Sequence, residues 1–126
     1  MSTLAPMLSA VLALLTFAAC TSVGGGEEIP VVADETVGAM SFEPKVIKVE
    51  PGEEVTFVVK NEGDQDHEFE SDEAGIEEVI IPAGRERRVN WTAPSRPGTF
   101  PIYCDLPGHR EAGMELTVDV GEQGGG

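Results

Sequence analysis

Apolar and polar residues alternate in short runs between positions 29 and 120, and proline and glycine punctuate the runs. Residues 45–50 hold one run, with Val46, Ile47 and Val49, and Pro51-Gly52 turns the chain out of it. Val55, Phe57 and Val59 then alternate with Thr56, Val58 and Lys60. A period of two marks a strand with one buried face. The partly apolar second face of this run suits a strand within a sandwich. His67 and Phe69 alternate with Glu68 and Glu70, which puts the imidazole and the phenyl ring on one face. Residues 77–81 form a further run, closed by Pro82-Ala83-Gly84, and residues 85–92 follow with Arg87, Val89 and Trp91 on a shared face. Phe100, Ile102 and Cys104 face one way, opposite Thr99, Pro101 and Tyr103. Pro101 cannot donate to a ladder, so its position must meet an edge or an irregularity. Met114, Leu116, Val118 and Val120 alternate with Glu115, Thr117 and Asp119. No helical period of useful length interrupts this series, and residues 74–78 have room for a single turn. Many short strands with Pro/Gly turns predict one all-β domain, a sandwich or a barrel.

The ends of the chain read differently. Residues 4–19 carry no charge, and the apolar run 7–19 is short for a bilayer span but right for the core of a signal peptide. It closes on Phe17-Ala18-Ala19-Cys20, which resembles a bacterial lipobox, with Phe17 where leucine is usual and no Lys or Arg before the apolar run. That resemblance implies cleavage before Cys20 and lipid attachment at its thiol. The expected organisation is a signal peptide at 1–19, a lipid-anchored flexible tether at 20–28 rich in glycine and serine, a folded domain at 29–121, and a disordered tail at 122–126. Lys plus Arg number 8 against 23 Asp plus Glu, for a net charge of -15. Such a surface repels nucleic acid. It suits a basic partner steered at long range, and it equally keeps a protein soluble. The basic stretch Arg85-Glu86-Arg87-Arg88 reads as a charged strand surface within that acidic background.

Candidate chemistry is concentrated between Cys104 and Met114, where thiol, imidazole and thioether are spaced Cys-x4-His-x4-Met through His109. The thiol ends one strand pattern and the thioether begins the next. The intervening loop holds Pro107, Gly108 and Gly113, so it can fold back and bring the three donors together. His67 is the other of the chain's two histidines, on a strand face able to neighbour the loop. Taken singly, each of these residues has an ordinary structural explanation. Together, two imidazoles, a thiolate and a weak axial thioether make the donor set of a blue-copper centre. Thiolate and imidazoles serve both copper oxidation states, and a stiff sandwich keeps reorganisation small.

On these residues the chain resembles the cupredoxins, across roughly residues 31–120. The Cys-x4-His-x4-Met loop is similar to that of the rusticyanin and sulfocyanin group. Phe42-Glu43-Pro44, the late His67, and Gly98-Thr99-Phe100 leading to Tyr103-Cys104 are also cupredoxin-like. The resemblance implies a Greek-key β-sandwich, one mononuclear type 1 copper ion, and His67, Cys104, His109 and Met114 as its ligands. Glu68 departs from the pattern, since an asparagine or hydroxyl residue often follows the first histidine.

The function expected is single-electron transfer between respiratory partners, such as a c-type cytochrome or a terminal oxidase, by a monomer at the outer face of a membrane. Electrons would pass through His109, with Leu106, Pro107, Ala112 and Gly113 as the docking rim. Copper storage or delivery without redox cycling, and zinc binding, are the other readings. An enzyme is not expected. Tyr103 rather than histidine precedes Cys104, there is no His-x-His pair, and position 108 is glycine where a dinuclear site needs a second cysteine.

Overall fold

The computed structural model describes residues 26–121. The expected signal peptide, Cys20, most of the expected tether and the tail at 122–126 lie outside the described residues. Nine strands follow one another: β1 (Glu27–Thr36), β2 (Ala39–Glu43), β3 (Val46–Val49), β4 (Glu54–Asn61), β5 (His67–Ser71), β6 (Ile76–Ile81), β7 (Glu86–Thr92), β8 (Gly98–Tyr103) and β9 (Glu115–Val120). They form a four-stranded sheet in the order β2-β1-β4-β7 and a five-stranded sheet in the order β3-β9-β8-β5-β6. Both are mixed, because β1 runs parallel to β4 and β3 parallel to β9 while the other pairs are antiparallel. The all-β, single-domain Greek-key sandwich is the expected architecture. Among the described residues no helix is long and apolar enough to cross a membrane.

The period-two pattern sorts the faces as read. Val55, Phe57 and Val59 of β4, Phe69 of β5, Phe100 and Ile102 of β8, and Leu116, Val118 and Val120 of β9 all point into one core. At its centre Phe69 packs edge-on to Phe42 at 5.5 Å and tilted against Phe57 at 5.4 Å, and Phe57 meets Trp91 at 5.7 Å. Offset and edge contacts of this kind match positive ring edges to negative ring faces. Val89 and Trp91 are buried as expected, but Arg87 on the same strand face is exposed, because β7 is the edge of its sheet. Pro101 meets the expected irregularity. Its strand pairs with β5 only at Glu70 and Tyr103, so the missing N–H breaks no ladder on that side.

Two expectations need correction, and two strands carry no clear alternation. The tether does not reach residue 28, since Glu27 and Glu28 already lie in β1 beside Val55 and Thr56, and Glu28 pairs with Arg88. Their charge looks like a linker, but an exposed strand face accepts it. The turn placed at 74–78 lies at 72–75, and strand begins again at Ile76. Strands β1 and β2 themselves were not marked out by alternation. Pro30 interrupts β1 where β4 is its only neighbour, which is where a missing N–H is tolerated.

Candidate metal centre

The donors collect at one end of the sandwich because of where the strands stop. Cys104 follows the last residue of β8, Met114 precedes the first of β9, and His67 opens β5. The loop between Cys104 and Met114 is clipped at its base, where the Cys104 N–H donates to the Met114 carbonyl at 3.1 Å. Inside, it winds through successive turns. His109 N–H donates to Leu106 O at 3.0 Å, Gly113 N–H to Arg110 O at 3.0 Å, and Met114 N–H to His109 O at 3.1 Å. Gly113 is required at its place. Its φ is +111°, and a Cβ there would lie 2.9 Å from the Met40 carbonyl. The loop is also tied to β2 and to the β2–β3 connection, through Met40 N–H to Ala112 O at 3.0 Å and Lys45 Nζ to Gly113 O at 3.1 Å. Arg110 lies 3.9 Å above the Tyr103 ring and pairs with Glu115 at 2.6 Å, on the exposed side of the loop.

This frame brings three of the four expected ligands together. The metal-binding atoms of His67, Cys104 and His109 all lie within 4.8 Å of one another. His67 Nδ1 is 3.1 Å from His109 Nδ1, and the Cys104 sulfur is 3.5 Å from the same His109 nitrogen. Met114 is fully buried, and its backbone bonds link it to both Cys104 and His109. His67 and Cys104 have no exposure, whereas His109 keeps 9%. Cys104 is a free thiol. The Glu68 side chain does not serve the sulfur, but its backbone N–H does, donating to Cys104 Sγ at 3.3 Å. Instead the Glu68 carboxylate groups with those of Glu70 and Glu78. Burial pushes the Glu68 and Glu70 carboxyls up, and neighbouring acidic charges push them further.

The electrostatics suit a soft cation. Burial pushes His67 below its ordinary pKa, against the raising effect of Glu35, so its ring is neutral and able to ligate. Burial pushes the Cys104 thiol up, and the backbone N–H groups of Glu68 and Leu106 work in the opposite direction by favouring the thiolate. A bound cation completes that shift, because a coordinating thiol loses its proton outright. Two imidazole nitrogens, a buried sulfur already facing N–H donors, and an adjacent buried thioether residue are the donor chemistry of copper. The residues present fit it.

One neighbour of the site went unread in the sequence. Glu35, on β1, places Oε1 2.8 Å from His67 Nε2. Burial raises its pKa, but bonds from the Gln65 backbone and the Gln65 amide, with the His67 ring close by, outweigh that, and the carboxyl stays below its ordinary value. Nothing in its local sequence distinguishes it from the many other acidic residues, and its strand was itself unmarked.

Comparison with known proteins agrees with this architecture. The sequence profile of the family described as "Cupredoxin-like domain" matches residues 7–118. The copper-resistant cuproprotein CopI of Rubrivivax gelatinosus is 32% identical over 100 residues, which are 64% of this chain and 60% of that protein's length. Plastocyanin of Nostoc punctiforme is 25% identical over 125 residues, covering 90% of this chain and 88% of that one. Among solved structures, reduced auracyanin of Roseiflexus castenholzii superposes with a TM-score of 0.63 at 20% identity, over 79% of this chain and all of that one. The copper nitrite reductase of Nitrosomonas europaea superposes with a TM-score of 0.66 at 24% identity, but only 41% of it is covered. With a profile match spanning most of its length and a His-Cys-His cluster at the end of a nine-stranded sandwich, the chain belongs to the cupredoxin family of copper-binding proteins.

Proposed function

We propose that this protein carries single electrons at a mononuclear type 1 copper site held by His67, Cys104, His109 and Met114. The observation that carries this reading is the convergence of His67, Cys104 and His109 within 4.8 Å, two of them without solvent exposure, on a frame of β-strands. Copper, when bound, supplies a one-electron couple between Cu(I) and Cu(II). The protein's part is to hold the donors still and dry. Cys104 is fixed through its own backbone and by the Glu68 N–H on its sulfur. His67 is walled in, and His109 is held by the loop turns with one edge toward solvent. That edge is the point of the site a partner can approach most closely. Leu106 and Ala112 stand half-buried around it, with Pro107, Gly108 and Gly113 exposed. The net charge of -15 favours a basic redox partner, a c-type cytochrome or a terminal oxidase, met by a monomer. We place the protein outside the cytoplasm, released from the segment 1–19 and anchored through a lipid on Cys20.

Catalysis is not part of this reading, because both histidines of the chain are committed to the one site. The likeness to a copper-resistance protein favours a second reading, in which the protein stores or delivers copper without redox cycling. An optical spectrum separates the two. Loaded with Cu(II), an electron carrier is intensely blue and cycles reversibly on reduction. Met114→Leu keeps the colour and shifts the potential. A colourless, redox-silent copper complex would leave only the storage reading standing.

A further inference from the structure

Glu35 and His67 sit on different sheets, near the end of β1 and at the start of β5. Their contact is supported from behind. The Gln65 backbone N–H donates to Glu35 Oε1 at 3.1 Å, and the Gln65 amide donates to Oε2 at 3.4 Å. Gln65 is fixed in turn by Asn61, a fully buried residue whose amide nitrogen donates to Gln65 O at 2.7 Å and Ile81 O at 2.9 Å. The Asn61 side-chain oxygen accepts from Gly63 N–H at 2.9 Å. A continuous polar chain therefore runs from Asn61 through Gln65 to Glu35 and ends on the imidazole.

The chemistry of that end point is constrained. His67 Nε2 is sealed from water, and Glu35 Oε1 lies 2.8 Å from it, too far off the N–H direction for a hydrogen bond, so the contact is electrostatic. A bare nitrogen lone pair 2.8 Å from a carboxylate oxygen would repel it, whereas an N–H attracts it. Nε2 therefore carries the proton. A neutral imidazole has only one, so Nδ1 is bare. Nδ1 is the nitrogen that faces His109.

We propose that Glu35 is a positioning residue of the copper site, selecting the His67 tautomer that presents Nδ1 and strengthening that nitrogen as a donor through its negative charge. The inference rests on the copper reading above. It makes Glu35 act in two separable ways. Its contact with Nε2 sets the ring's orientation and tautomer, and so the affinity for copper. Its charge favours the more highly charged oxidation state, and so lowers the reduction potential.

The test uses the full-length protein with Glu35→Gln and Glu35→Ala. Copper affinity and reduction potential are measured, and the His67 tautomer is read by nitrogen NMR of the metal-free protein. Glu35→Gln keeps the shape and an acceptor oxygen but loses the charge. It should stay blue and shift the balance toward Cu(I) about tenfold, or 59 mV for a one-electron couple. Glu35→Ala should weaken copper binding by about 10- to 100-fold and abolish the preference for the Nε2-protonated ring. If the alanine variant does not fold, the potential of the glutamine variant decides alone. A blue wild type whose variants keep its potential, affinity and tautomer overturns this inference only. A wild type that never turns blue overturns the copper-carrier reading and this inference together.

Discussion

Cys104, His109 and Met114 ride on a single loop whose two ends are tied to each other, while His67 stands on a strand wall and leans on Glu35, Gln65 and Asn61 from elsewhere in the chain. The loop is held chiefly by backbone hydrogen bonds, to itself and to Met40, so it tolerates many side chains apart from the donors and Gly113. The wall is held by side chains in a polar network that runs from buried Asn61 through exposed Gln65 and half-buried Glu35 to buried His67. Its buried end is the costly part, because a buried polar group that loses its partner is penalised in the low-dielectric interior. The two halves therefore differ in what a substitution removes. In the loop it removes chemistry and leaves the fold. In the wall, loss of the anchoring Asn61 amide removes fold and chemistry together.

The sharpest break of that contrast is Cys104→Ser. It should abolish the blue colour completely, while the metal-free protein melts within a few degrees of wild type, since a serine hydroxyl can still accept the Glu68 N–H bond. Persistent colour would remove the sulfur from the ligand set. On the wall, Asn61→Ala leaves the Gln65 and Ile81 carbonyls and the Gly63 N–H without their partner. The buried Ile81 carbonyl left unpaired, together with the two lost part-buried bonds, should cost about 2–3 kcal/mol in all. For a domain of this size that lowers the melting temperature of the metal-free protein by roughly 10 °C or more. An unchanged melting temperature would show that the wall does not depend on its polar network.

These two substitutions also mark what could be read from the sequence. The loop donors were legible because they are close in the chain and flank one run of turn residues. The sandwich was legible wherever one face is apolar, as in Val55-Phe57-Val59 and Leu116-Val118-Val120. The wall was only half legible. His67 could be paired with the loop because the chain has just one other histidine, but Glu35 could not. It belongs to β1, where Pro30 and the acidic residues blur the alternation, and its partner is reached only after the sheets fold face to face. The sulfur's N–H donor was legible, because the residue after the first histidine keeps its backbone N–H near the sulfur even where its side chain is the wrong one.

The smallest expected effect lies on the outer face of β5. Burial and the charges of Glu68, Asp105, Glu78 and Asp72 raise the folded-state pKa of Glu70 above its ordinary value. A raised carboxyl binds its proton more tightly in the folded state than in the unfolded one. Its contribution to stability is therefore complete below the unfolded value, near 4.3, and is lost as pH rises through the folded value. At pH 7 Glu70→Gln should thus stabilise the metal-free protein by about 0.5 kcal/mol, and below pH 4 the gain should vanish. Equal melting temperatures for variant and wild type at pH 7 would mean that the acidic face imposes no cost on folding.

The hydrogen bond between the Cys104 N–H and the Met114 carbonyl also bears on how such a site diversifies. It clamps the points where the loop leaves β8 and enters β9, so the register of those strands is set below the loop and not by it. Residues gained or lost between the clamped ends would alter the entropy of closure only slowly with length. The sandwich then acts as a socket and the loop as an exchangeable insert. Lineages can vary the rim that meets a partner without renegotiating the core.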